Sequence, residues 1–286
     1  MEVAKMKNRR LFTMFAIVLL AAILIAPAGL AEAKEHKEPK PTPEPAKEGG
    51  KGKPDPNSGN DNFCPELFAG SSLDSEDLVG DDKIDGGAGN DRICGEGGDD
   101  ELNGDAGDDL IIGGLGDDKI RGGDDNDFII GGPGRDVILG GDGNDQIFGG
   151  SGDDHIKGGA GNDDLDGGTG IDNLDGDNGD DYLVGDDGDD ALQGGKDNDA
   201  LDGGAGNDKL SGDQGDDILF GDIGNDDLSG GKGNDILLGG DGDDFLSGGS
   251  GIDLIDGGEG FDTCVADSED TFISCELFVD NDGIPV

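Results

Sequence analysis

From Gly86 to Val265 one aliphatic residue returns every nine positions, as Ile93, Leu102, Ile111 and Ile120 do at the start of the run. Around each sits the phrase Gly-Gly-x-Gly-x-Asp-x-Leu/Ile-x, and over these 180 residues its phase never slips, giving twenty copies. The first place is Gly and the sixth is Asp in all twenty. The fourth is Gly except at Asp125 and Asp197, and the eighth is Leu or Ile except at Cys264. Residues 77–85 fit as a weak earlier copy through Gly80, Asp82 and Ile84. The pattern predicts a turn of six residues followed by a strand of three. Glycine permits the positive φ that so short a reversal requires, and the Asn or Asp common at the fifth place tolerates left-handed geometry next best. Side chains alternate across a strand, so the eighth residue faces inward while the seventh and ninth face out. Two turns and two strands close a coil of eighteen residues. The expected fold is all-β, a right-handed parallel solenoid of about ten 18-residue coils with short caps at both ends. Its two parallel sheets would enclose a single aliphatic layer, roughly 45–50 Å long at about 4.8 Å per coil.

The flanking segments do not carry the period. Met1 to Arg10 is basic, Leu11 to Ile25 is apolar without a charge, and Ala31-Glu32-Ala33 follows Pro27 as a small-x-small cleavage site. Residues 1–33 therefore read as a secretory signal peptide, the apolar run being short for a spanning helix. Residues 34–60, rich in Lys, Pro and Glu, read as a flexible linker. Phe63 to Leu78 is the one aromatic-apolar patch between linker and repeats, so residues 61–79 are expected to cap one end of the stack at residues 80–265. Ala266 to Val279 loses the glycines and gains Phe272, Ile273, Leu277 and Phe278, so residues 266–286 are expected to form the opposite cap and tail. Four cysteines in an exported chain permit disulfides, and three pairings are open. Proximity favours Cys64 with Cys94 and Cys264 with Cys275, each stapling a cap to the neighbouring repeat.

Charge changes the picture. The chain carries 69 acids against 19 bases, a formal net charge of −50, with a single Tyr and no Trp. Taken as composition alone this is the signature of a disordered chain, because so little apolar surface cannot offset chain entropy and self-repulsion. It also excludes nucleic acid as a partner, since phosphates repel carboxylates. Stacking places the sixth-position Asp of one turn about 5 Å from that of the turn two repeats on, an arrangement that repels unless a cation intervenes. Calcium suits it, taking six to eight oxygens from carboxylates and backbone carbonyls in irregular geometry, whereas magnesium demands a tight octahedron. Zinc is a poor fit to a chain with two His and four Cys. The twenty repeats hold 48 acids and 8 bases, and at most about eighteen divalent ions between successive turns would nearly cancel that excess.

The phrase resembles the GGxGxDxUx nonapeptide of the RTX, or hemolysin-type calcium-binding, β-roll family, over Gly86 to Val265. The resemblance implies a parallel β-roll, disordered without Ca²⁺, in which sixth-position carboxylates and turn carbonyls hold the ion. Carried onto this chain, the implied ligands are Asp91, Asp100, Asp109, Asp118, Asp127, Asp136, Asp145, Asp154, Asp163, Asp172, Asp181, Asp190, Asp199, Asp208, Asp217, Asp226, Asp235, Asp244, Asp253 and Asp262. Asp125 and Asp197, where the fourth Gly should stand, and the terminal copies are the weak points of the match. Unlike the RTX toxins and proteases, the chain is expected to carry an N-terminal signal and no attached catalytic domain. His36 and His155 are far apart, so no H-E-x-x-H occurs, and G-x-S-x-G is absent; no catalytic residue and no organic cofactor is expected. The expected role is a secreted, extracellular calcium-binding module acting in structure or interaction, not an enzyme. Its rivals are a calcium-dependent adhesin or surface-layer component and an accessory module of an extracellular enzyme. Ice binding would need ranked Thr columns, and Thr169 and Thr263 are the repeats' only threonines.

Alternate repeats should lie on opposite sheets. The outward seventh and ninth positions of one set include Leu110, Ile112, Phe128, Ile130, Phe148, Tyr182, Val184, Ile218, Phe220, Ile236, Leu238 and Leu254, interrupted near Asp164 and Asp166. The other set is mostly polar, with Val137, Leu139 and Phe245 as exceptions. So broad an apolar face marks a contact surface, for a second copy, another protein or a cap segment. Once the signal is cleaved, no stable membrane insertion is expected.

Overall fold

The computed structural model describes residues 80–266 and 270–280. The expected signal peptide, linker and N-terminal cap, with Cys64, lie outside the described residues. Strands recur every nine residues, beginning with β1 (Lys83–Ala88), β2 (Arg92–Gly97), β3 (Glu101–Ala106) and β4 (Leu110–Leu115). They continue without interruption to β19 (Phe245–Ser250), β20 (Leu254–Glu259) and β21 (Thr263–Ala266). Two shorter strands follow, β22 (Thr271–Ile273) and β23 (Leu277–Asp280). Among the described residues there is no helix, and so none long and apolar enough to cross a membrane.

Among the described residues, odd-numbered strands form a twelve-stranded sheet and even-numbered strands an eleven-stranded one. Every pairing is parallel and joins residues eighteen apart through the repeats, as Ile84 with Leu102 and Leu102 with Ile120. One coil is thus two repeats, and the two sets of repeats do occupy opposite sheets. The period-two alternation puts each eighth residue between the sheets. Ile93, Leu102, Ile111 and their successors to Ile255 form one continuous column at 0–2 % exposure, closed by Cys264, with Ile84 and Phe272 packed against its ends.

The strands are longer than the pattern predicted. Each full strand has six residues, running from the seventh place through the third place of the next copy, and leaves a turn of only three. Glycine reads locally as a turn former, but here the first two places of the phrase stay within the strand. Pairing skips the first glycine and resumes at the second, as Asp166 with Val184 and then Gly168 with Asp186. The segment expected as a C-terminal cap adds one strand to each sheet, β22 beside β20 and β23 beside β21. Cys264 and Cys275 form a disulfide that ties this last coil to the end of the core column. Cys94 is also disulfide-bonded.

The outward faces differ as expected. Leu110, Ile112, Phe128, Ile130 and Phe148 lie together on the eleven-stranded sheet, half-buried against one another, and the rings of Phe128 and Phe148 stand 5.6 Å apart. On the twelve-stranded sheet Lys157 bridges Asp175 and Asp177 at 2.9 and 2.7 Å.

Candidate metal centre

The site is built by the turns, and their backbone is the same in every copy. The second and fourth places take positive φ throughout: 98–132° for second-place glycines and 119–159° for fourth-place glycines. Where a residue with a side chain stands there, φ contracts to 70–78°, as at Glu96, Asp105, Asp125 and Asp197. Asp125 and Asp197 therefore keep the turn despite lacking the fourth glycine. The fifth place is not left-handed, contrary to expectation. Its Asn or Asp instead accepts a hydrogen bond from the fifth-place N–H of the next coil, as Asp99 Oδ1 does from Asp117 at 3.0 Å and Asn126 Oδ1 from Asn144 at 2.8 Å.

The first-place glycine is required for space. A Cβ on Gly149 would stand 2.6 Å from Oδ2 of Asp154 and 2.7 Å from the carbonyl oxygen of Gly167 in the next coil. Atoms cannot approach so closely, so the column must lack side chains for carboxylate and carbonyl to share this small volume.

The structure brings all twenty sixth-place aspartates into two columns, one along each turn edge, at 0–3 % exposure. From Asp100 to Asp262, Oδ1 accepts from the corresponding N–H of the preceding coil: Asp118 from Asp100 at 2.9 Å, Asp163 from Asp145 at 2.8 Å, Asp262 from Asp244 at 3.0 Å. The other oxygen differs. From Asp100 to Asp244, and again at Asp262, Oδ2 is buried and accepts no hydrogen bond. Burial raises these carboxyls from 3.8, to about 6 at Asp118, about 7 at Asp163 and about 8 at Asp199. The N–H bond to Oδ1 opposes the rise and neighbouring aspartates add to it. A carboxylate so placed must take up a proton or meet a cation.

The donor set fits a hard cation. It consists of buried carboxylate oxygens with backbone carbonyls beside them. Among the described residues no three His, Cys, Asp or Glu side chains converge on one point, so an ion here would draw its remaining ligands from the backbone.

Three acids outside the expected ligand set take part in the same ladder. Asp82, in the weak early copy, donates its N–H to Asp100 Oδ1 at 2.7 Å. In the last coil Asp270 Oδ1 accepts from Asp253 N–H at 3.1 Å and Glu276 Oε2 from Asp262 N–H at 2.9 Å. Their separations of 17 and 14 residues break the period of eighteen, so the repeat pattern gave no sign of them.

No curated protein sequence matches the chain. Among solved structures it is similar to a hyperactive, Ca²⁺-dependent, β-helical antifreeze protein from an Antarctic bacterium, at 24 % identity and a TM-score of 0.42, covering 75 % of this chain and 84 % of that one. The sequence model of the RTX calcium-binding nonapeptide repeat matches at residues 78–102, 103–138, 139–174, 166–201, 175–210, 193–228, 202–237, 229–264 and 238–273. These matches run over the same coils whose turns align the buried aspartates, and the chain belongs to the RTX calcium-binding nonapeptide repeat family.

Proposed function

We propose that this chain is a secreted structural and interaction module that stays unfolded at low calcium and folds outside the cell as calcium binds. The sixth-place aspartates, Asp91 to Asp262, hold the ions together with carbonyl oxygens of the adjoining turns. The observation that carries this reading is the file of buried Oδ2 atoms without a hydrogen-bond partner, from Asp100 to Asp244 and at Asp262. Many of them share the space beside a first-place glycine with a carbonyl of the next coil, as Asp154 Oδ2 and the Gly167 carbonyl do beside Gly149.

Magnitudes favour it. A buried Leu or Ile contributes about 1.5–3 kcal/mol. Removing a carboxylate from water without compensating charge costs several kcal/mol after relaxation. Each repeat contains one of each, so the aliphatic column does not by itself hold the stack together. Calcium, when bound, supplies the positive charge that reverses repulsion between successive turns. The glycines keep that space open, the fifth-place ladder fixes the turns in register, and Oδ1 is spent on orienting the carboxylate. Binding energy is then folding energy, and sites of roughly 10⁻⁴–10⁻³ M suffice outside a cell.

A calcium titration of the purified chain at neutral pH, followed by far-UV circular dichroism, tests the reading. The β signal should grow with calcium and vanish on chelation. Full β structure after exhaustive chelation would falsify it. A second reading, calcium-dependent attachment or self-association, is favoured by the outward apolar residues of the eleven-stranded sheet. Sedimentation in calcium distinguishes it: assembly that weakens when Phe128 and Phe148 become Ser supports it, and a monomer at all concentrations rules out self-association.

A further inference from the structure

The last coil leaves the nonapeptide pattern but keeps the donor geometry of the turns before it. At Gly239 an added Cβ would meet Oδ2 of Asp244 and the carbonyl oxygen of Gly257 in the next coil. At Gly257, the first place of the final repeat, it would meet Oδ2 of Asp262 and, at 2.6 Å, the carbonyl oxygen of Ser274. Ser274 thus presents its carbonyl where a first-place glycine presents one elsewhere. It does so at φ 53°, the one non-glycine residue among those described that is left-handed outside the second and fourth places of the repeats.

Glu276 completes the imitation with two atoms. Its backbone N–H donates to the Asp262 carbonyl at 3.2 Å, the bond a seventh-place residue makes, as Thr263 does to Asp244 at 2.8 Å. Its Oε2 accepts from Asp262 N–H at 2.9 Å, the bond a sixth-place aspartate makes. One residue fills two places because glutamate is a methylene longer than aspartate and can reach back. Between Ser274 and Glu276 lies Cys275, bonded to Cys264 at the end of the buried core column, so both donors are tied to the buried core. Asp262 is fully buried and its Oδ2 accepts no hydrogen bond.

We propose that the closing turn is a further site for a hard divalent cation such as calcium, formed by Asp262 Oδ2, the Ser274 carbonyl and the Glu276 carboxylate and clamped by the Cys264–Cys275 disulfide. The last coil is then a working calcium site as well as a cover for the stack, and it fastens the end of the solenoid that would otherwise fray. Burial pushes the Asp262 carboxyl upward and Glu276 adds to the rise, as two acids do when they face one space without a counter-charge. The proposal rests on the reading that calcium occupies the sixth-place columns.

The test uses the full chain with its disulfides intact and calcium as the probe. Bound calcium is counted by equilibrium dialysis, and hydrogen–deuterium exchange is followed across residues 254–280. Glu276→Gln and the shorter Glu276→Asp should each bind about one ion fewer per chain and lose calcium-dependent protection around residues 262–276, with the repeats still protected. Glu259→Gln, which removes an exposed acid from the third place of the same repeat, should leave both readouts unchanged. Wild-type stoichiometry and protection in Glu276→Gln would overturn this site alone. An unaltered chain that takes up no calcium would overturn the whole column and this site with it.

Discussion

At the residue scale the two oxygens of one aspartate do different work. In Asp163, Oδ1 holds the preceding coil through the Asp145 N–H, while Oδ2 is buried without a hydrogen bond. Changing Asp163 to Asn keeps an acceptor for the first task and removes the charge needed for the second. The variant should therefore need more calcium to fold, yet retain more β structure than the parent under chelation, because one buried charge is gone. Circular dichroism with and without chelator reads both, and a change of the same sign in the two conditions would show that Oδ2 does not meet a cation. The first and second glycines make a sharper pair. Gly149→Ala places a Cβ against Asp154 Oδ2 and the Gly167 carbonyl, and should cost about 1–3 kcal/mol as overpacking, together with calcium affinity. Gly150→Asp also brings a Cβ against a backbone carbonyl, that of Gly132. Asp105, Asp177 and Asp186 show, however, that φ contracts to 70–76° to accept a side chain at the second place, so it should cost about 1–2 kcal/mol and leave calcium affinity unchanged. Thermal midpoints in calcium decide the order.

At the element scale each turn-and-strand unit trades one buried aliphatic against one buried acid, and pH shows which state the acid is in. The folded carboxyls sit above their ordinary 3.8, at about 6 for Asp109, about 7 for Asp127 and about 8 for Asp199. A group whose folded pKa is raised stabilises the fold below its unfolded value and loses that contribution as pH rises through the folded one. Without calcium the β structure should be greatest near pH 4 and melt away as pH climbs through about 6–8. With calcium the dependence reverses, because protons compete for the same oxygens and acidification through that range should release the ion. Dichroism across pH in chelator and in calcium would give crossing curves, and parallel ones would contradict this account. The strands themselves were only half legible. The eighth-place aliphatics revealed where each one lies and which way it faces, but not that it extends across two glycines. Glycine carries no side chain to mark a face, so the ladder through it becomes visible only when the neighbouring coil is in place.

At the scale of the whole molecule each strand of the repeats pairs with the strands of the coils before and after, and paired residues stand eighteen positions apart until the last coil. Removing a complete coil, residues 158–175, should leave calcium-dependent folding and both outward faces intact. Removing one repeat, residues 158–166, keeps the phrase in phase but transfers every later strand to the opposite sheet. The apolar residues from Tyr182 to Leu254 would then face away from Phe128 and Phe148. The two deletions should fold alike by dichroism and differ in self-association and in binding of an apolar dye. Identical behaviour would show that the apolar sheet acts as no single surface.

The repeated phrase was enough to specify the coil, the sheet to which each repeat belongs, the aliphatic column and the two files of aspartates. It could do so because a solenoid turns distance along the chain into distance in space, so an unbroken period of nine already names each residue's neighbours. What lies off that period emerged from the packing of the coils. It showed that the first glycine is demanded by a carboxylate and a carbonyl pressing on one point, and that the fifth-place side chain bonds across coils. It also showed that Ser274 and Glu276 rebuild a turn whose phrase has ended. Those contacts depend on which atoms meet once neighbouring coils are packed, and no spacing along the chain records them.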